Sequence, residues 1–244
     1  VSDNIAYTYK AVFPSVAKLD VDDDSATGYE EITELDNVKF TFMGKEYTTV
    51  NAQASPEEND IKLELMSGET TVRMFEGETK TVTLDGKDYT ITIDAIGTKT
   101  GNVLYAILSI NGETTKELQE GQTDTVDDIE IGIKTLLENE AGEAEAGKDF
   151  IEFYLGADKI TLEDTDYTST ATKGTLKMND NDVDEVEINI IATDTVDTEV
   201  QLSEIDFEFS PDDDIDVDPD HVFTDGILGA FQIQFEGLDV ATDS

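Results

Sequence analysis

Hydrophobic residues recur at every second position along this chain, and that period decides what it can fold into. Val38, Phe40 and Phe42 alternate with Lys39 and Thr41; Ile61, Leu63 and Leu65 alternate with Lys62 and Glu64; Tyr89, Ile91 and Ile93 alternate with threonine. The pattern returns at Ile129, Ile131 and Ile133, at Ile151, Phe153 and Leu155, at Val186, Ile188 and Ile190, and at Phe231, Ile233 and Phe235. Successive side chains of a strand point to opposite faces, so each run sets one face in a core and the other in water. The 31 threonines crowd the outward positions, where β-branched side chains suit a pleated surface. Val103 to Ile110 (VLYAILSI) is apolar in both phases, which predicts a strand covered on both faces. Only Asp128 to Glu143 offers a helix, and Gly132 and Gly142 weaken it. The chain is therefore expected to be all-β.

Tight turns should join the strands. Asp85-Gly86 and Asn111-Gly112 are two-residue hairpin signals, because a type I′ turn needs positive φ at both central residues. Met43-Gly44 and Gly156-Ala157 carry one glycine each and are weaker cases. The predicted hairpins pair 38–42 with 45–50, 79–84 with 87–94, and 103–110 with 113–118. In the first two, Phe40 should face Tyr47 and Val82 should face Tyr89. The chain also repeats itself. MGKEYTTVNA (43–52) matches DGKDYTITIDA (85–95), and ETTVRMFEGETKTV (69–82) matches ETTKELQEGQTDTV (113–126), which points to duplicated hairpin units.

Charge sets limits on partners. Asp and Glu number 58 against 15 Lys and Arg, a net of −43. Such a surface repels DNA, RNA and anionic lipid. Residues 1–160 hold 34 acidic and 13 basic side chains, whereas 161–244 hold 24 and 2. That shift predicts a boundary near 160, between a β-domain with duplicated hairpins (1–160) and a smaller, strongly acidic β-domain (161–244). A single arginine stands against 14 lysines, which ties the acidity to surface chemistry rather than to a salty cytoplasm. There is no cysteine, hence no disulfide, thiolate metal site or thiol nucleophile. No apolar run reaches the ~18 residues of a membrane span. The chain starts at Val1 rather than Met, as expected of a processed product or a piece of a longer one, so any leader or anchor would lie outside it.

Reactive groups are sparse. His221 is the only histidine, it lies in an acidic stretch, and no Gly-x-Ser-x-Gly elbow precedes it, so the expected catalytic set is none. No Gly-Lys-Ser/Thr phosphate loop and no GxGxxG is present. Paired carboxylates could hydrolyse a glycosidic bond, but among 58 some pair will always be close, and there is no tryptophan for a sugar to stack on. Three acidic runs invite comparison with calcium loops: Asp20 with Asp22, Asp23 and Asp24; Asp180, Asp182 and Asp184; and Asp212, Asp214 and Asp216 within PDDDIDVDPD. Hard divalent cations take several carboxylate oxygens, and D-x-D-x-D supplies three from one turn. The middle run lacks the glycine and glutamate of an EF-hand, and the last also suits an edge strand with its aspartates in water. The metal candidates are Asp180, Asp182, Asp184, Asp212, Asp214 and Asp216, with Ca²⁺ as the cation.

The repeated hairpin words carry a family resemblance. DNVKFTFMGKEYTTVNA, FEGETKTVTLDGKDYTITIDAIG and DFIEFYLGADKITLED resemble the repetitive β-domains of archaeal surface-layer (S-layer) glycoproteins. So does the run from LSEIDFEFSPDDDIDV to LGAFQIQFEGL, and the likeness covers most of 35–238. It implies tandem β-sandwich (immunoglobulin-like) domains outside the cell, bound calcium, and self-association or contact with other surface-layer subunits. The chain departs from that family in having no Asn-x-Ser/Thr sequon, so N-glycosylation is not expected. The leading expectation is a non-enzymatic structural subunit of an archaeal surface layer. An adhesin or carbohydrate-binding β-sandwich comes second, and a carboxylate-based hydrolase third.

Overall fold

The computed structural model describes residues 5–21, 28–35, 37–42, 44–138, 149–196, 199–211, 222–225 and 231–234. The first half holds β1 (Tyr7–Asp20), β2 (Glu30–Glu31), β3 (Lys39–Phe42), β4 (Lys45–Ser55), β5 (Asp60–Phe75), β6 (Thr79–Leu84), β7 (Lys87–Lys99) and β8 (Val103–Ile110). Then come β9 (Glu113–Thr114), β10 (Thr123–Val126), β11 (Ile129–Leu137), β12 (Phe150–Asp164), β13 (Gly174–Met178), β14 (Asn181–Val196), β15 (Glu199–Phe209), β16 (Val222–Thr224) and β17 (Gln232–Gln234). One 3-10 turn spans Thr33–Leu35. The fold is all-β and every ladder is antiparallel. The described part of the segment with a helical option, 128–138, holds strand β11 instead, since Ile129, Ile131 and Ile133 all face a core.

Two cores share one ladder. The first draws on residues 19–65 and 160–209, and the second on residues 72–155. β5 and β12 run through both, paired from Asp60's neighbour Ile61 to Phe75 against Asp164 to Phe150. Around the first core, the sheet order β1-β15-β14-β13-β12-β5-β4, with β3 paired to β4, curls so that β3 meets β1 and β15: Phe42 reaches Phe207 at 5.4 Å and Phe13 reaches Phe40 at 5.8 Å between ring centres. The second core is a sandwich, with β5, β12, β11 and β10 on one side and β6-β7-β8-β9 on the other. The boundary expected near residue 160 falls inside β12, which pairs with β5 on both sides of that point. The fall in basic residues beyond it is a difference of surface, not a break in contacts.

Along the shared ladder the buried face changes sides. Ile61, Leu63 and Leu65 with Ile160 and Leu162 enter the first core, whereas Val72 and Met74 with Ile151, Phe153 and Leu155 enter the second. The parity inverts while the register holds, so the cores lie on opposite faces of one ribbon. Two glycines mark the crossing. A Cβ on Gly68 would sit 2.5 Å from that of Tyr154, and Gly156 has φ of 66°, a conformation that suits residues without a side chain. Gly156-Ala157 is thus no turn; it is the point in mid-strand where burial switches.

The hairpins form with the expected partners: Phe40 faces Tyr47, and Val82 faces Tyr89. Asp85-Gly86 and Asn111-Gly112 have φ of 48° and 80°, and 51° and 90°. β9 stops at Thr114, short of the predicted 118, because Thr115 Oγ1 accepts from the Leu108 N–H at 3.1 Å, leaving only a bridge from Ala106 to Leu118. β8 buries Ala106, Leu108 and Ile110, whereas Tyr105, Ile107 and Ser109 in the other phase are half-buried and Val103 is 39% exposed, so one face is fully covered and the other partly.

The two sequence repeats resolve into three copies of one unit. Each begins at a positive-φ residue: Asn37 (58°), Gly77 (73°) and Gly121 (74°). That residue's N–H donates to a carbonyl on the hairpin's second strand: Asn37 to Thr49 at 3.1 Å, Gly77 to Ile93 at 2.9 Å, Gly121 to Ile133 at 2.9 Å. The N–H of Thr49, Ile93 or Ile133 then returns to Val38, Glu78 or Gln122 at 2.8, 3.0 and 3.0 Å. A register shift follows each docked residue, at Thr49/Asn51, Ile93/Ala95 and Ile133/Thr135. Copies two and three add side-chain bonds: Glu78 and Gln122 accept from the N–H three residues back at 2.9 and 3.0 Å, and Glu76 and Glu120 accept from Ile96 and Leu136. The third copy turns on Asp127 and Asp128, at φ of 51° and 60°.

Candidate functional site

The middle acidic run sits on the β13–β14 hairpin. Asn179 and Asp180 form its turn with φ of 47° and 63°, which Asn and Asp tolerate better than most residues. Asp180 lies 3.6 Å from the Lys159 ammonium, and Asp182, opposite Lys177 in the ladder, lies 3.3 Å from that lysine. The regular β13–β14 pairing breaks between Thr175 and Lys177, so Asp184 lies within that break, between the paired Asp182 and Glu187. Among the described residues no three or more acidic or histidine side chains are grouped to hold a metal. Asp212, Asp214, Asp216 and His221 lie outside the described residues, as do Asp22, Asp23 and Asp24.

Beside that hairpin, where the ladder changes its buried face, is a groove of about 380 Å³. Asn179, Asp180 and Asn181 line one wall, and Lys116, Thr123, Asp124, Thr125 and Glu130 line the other. The hairpin is pinned by Asn179, whose Oδ1 accepts from the Lys159 N–H at 2.8 Å and whose N–H donates to the Lys159 carbonyl at 2.9 Å. Across the groove Asp124 accepts from the Lys116 N–H at 2.8 Å, and Thr125 donates to Glu130. Under the rim, Lys159 has only 8% of its side chain exposed and stands 3.3 Å from Glu64. Glu64 also accepts from the Asn51 amide at 2.9 Å and lies 3.3 Å from Lys62. Burial pushes the Glu64 carboxyl up, but the Asn51 amide and the two ammonium groups outweigh it and hold the pKa below 4.5. Chemically, the groove presents hydroxyl, amide, carboxylate and ammonium groups, a set that can hydrogen-bond a polyhydroxylated ligand.

A second constellation joins β1 to β15. Lys10 on β1 donates to Glu204 at 2.7 Å and to Asp206 at 2.6 Å. Asp206 is 6% exposed; burial raises its pKa first, and the neighbouring Glu204 adds to that. The Lys10 hydrogen bond lowers the pKa of Glu204. The pair sits on a sheet face beside Lys173, which bonds Glu208 at 2.8 Å, and it fastens a strand. Sequence reasoning missed this cluster and the Lys159–Glu64 pair, because acidic residues two apart are everywhere in this chain. The scarcity of lysine was the usable signal, since each one attracts whatever carboxylates fold beside it.

No protein-family model, no curated protein and no solved structure matches the chain.

Proposed function

We propose that the chain is a non-enzymatic structural subunit of an archaeal cell-surface layer or a related extracellular assembly. The observation that carries this reading is the β5–β12 ladder, which serves two cores without a break. Pulling the two lobes apart along the strands would shear many backbone hydrogen bonds at once, whereas a linker between domains would simply extend. The threefold corner-and-hairpin unit supports the same reading, since duplicated packing modules suit a chain whose task is to hold shape. Within this reading calcium serves the last acidic run, at Asp212, Asp214 and Asp216, and the partners are further copies or other layer subunits. Electron microscopy of the purified chain across protein concentrations, with and without calcium, tests it. Ordered sheets or filaments are expected, and particles that stay monomeric under all conditions would overturn it.

The polar groove favours a second reading, a carbohydrate-binding module. It requires saturable binding of a soluble oligosaccharide that is lost in Asp124→Ala, measured by calorimetry.

A further inference from the structure

We infer that the outer face of β5, β12 and β11 in the second lobe is where one copy of this chain docks onto another; the inference rests on the assembly reading above. One rung of that sheet places Leu137, Phe150 and Phe75 side by side across the three strands. Their even- and odd-numbered neighbours Leu136, Ile151 and Met74 fill the core, so this rung points the other way. Leu137 is 48% exposed and Phe75 is 41% exposed. Phe75 meets Phe150 edge-on at 6.4 Å, and the Arg73 guanidinium lies 3.8 Å above the Phe150 ring. Arg73 is the chain's only arginine.

Two facts select a second copy as the occupant. An exposed ring, Phe75, beside a half-buried one, Phe150, that carries a stacked arginine presents the residue types on which protein interfaces concentrate their affinity. Charge supplies the second. A chain with a net of −43 repels its own copies over most of its surface. On the two rungs around Phe150, however, Arg73 and Lys134 stand against one carboxylate, that of Glu152, which Lys134 holds at 2.5 Å; the other carboxylate of β11 on this face, Glu130, lies at the far end of that strand. An acidic flank of a neighbouring copy complements this patch: carboxylates meet Arg73 while the apolar rung is covered. Such a contact joins two different surfaces, and repeated head to tail it builds an open array rather than a closed dimer. Beyond Ser67, β5 pairs with β12 alone among the described residues, so the rung also lies next to a strand edge a neighbour can approach.

The test compares the full chain with Arg73→Glu and Leu137→Ser, and with Lys80→Glu, a charge reversal at an exposed position of β6. Light scattering and electron microscopy read assembly, and far-ultraviolet circular dichroism with thermal melting reads the fold. Parent and Lys80→Glu should assemble together, while Arg73→Glu and Leu137→Ser should need about tenfold more protein or more, the scale set by loss of an interface centre. If the parent assembles and all three folded variants assemble alike, the docking face is refuted and the structural-subunit reading survives. A parent that never assembles sinks both.

Discussion

Replacing Lys159 by methionine isolates the buried ion pair at the crossing of the two cores. The change keeps the side chain's length and removes the ammonium that stands 3.3 Å from Glu64, where 8% of Lys159 and 14% of Glu64 are exposed. Taking one partner from a buried pair costs about 3–5 kcal/mol, because the other charge is left buried. Glu64 keeps the Asn51 amide and Lys62, which places the loss at the low end. For a chain of this size about 3 kcal/mol corresponds to a fall of about 6–12 °C in melting temperature. Lys159→Met with Glu64→Gln should recover most of it, since neither charge then lies buried. The pH dependence has a definite sign. The folded pKa of Glu64 lies below its ordinary 4.5, so its contribution is present above that value and is lost as pH falls through the folded one. In the single variant burial is less opposed, so its deficit should be largest near neutrality and shrink in acid. Melting curves of the parent, both single variants and the double, at neutral pH and near pH 4, provide the cycle. A deficit under about 1 kcal/mol, or a double variant that sums the singles, would show the pair to be solvated and the reasoning wrong.

Gly174→Ala should destabilise strongly, because its Cβ would lie 2.4 Å from the backbone carbonyl oxygen of Glu163; Gly132→Ala, which meets the flexible Met66 Sδ at 2.1 Å, should cost less, and chemical denaturation ranks them. Melting temperature should climb from dilute buffer to molar NaCl, as screening relieves repulsion among 58 carboxylates; a flat profile would contradict the charge argument. With NaCl held high, Asp182→Asn should leave any stabilisation by millimolar CaCl₂ unchanged, because Asp182 faces Lys177; loss of that response on melting would restore the middle run as a calcium site. Asp164→Asn should lower stability by about 1–3 kcal/mol, since the carboxylate accepts from both the Asp166 and Ile190 N–H groups and an amide can accept at only one oxygen.

Strand positions were legible because alternation is a local signal. Phe40 opposite Tyr47 and Val82 opposite Tyr89 follow from turn chemistry and counting alone. The face switch was half visible: Ile61, Leu63 and Leu65 declare one parity on β5, but Val72 and Met74 declare the other only once both are known to share a strand. The threefold unit was harder to see. Its first copy has Asn37 and Val38 where the others have Gly-Glu and Gly-Gln, so backbone geometry is retained while the residues differ. Composition misled at residue 160, because charge records what faces water and says nothing of which strands pair. The groove and the Lys10 cluster needed three dimensions, as each brings together residues far apart in the chain.

The arrangement of the two cores has a temporal consequence as well. The second core closes within residues 72–155, so a chain emerging from the ribosome can complete it early, from hairpins whose partners are close in sequence. The first core cannot close then: Ile61, Leu63 and Leu65 wait for Ile160 and Leu162, and Leu19 waits for Val200. The finished sandwich would present the far half of β5 as a template on which β12 extends past Gly156. Synthesis thus orders the lobes, with the interrupted one last, and its apolar strand faces are the surface a growing chain must keep from premature contact.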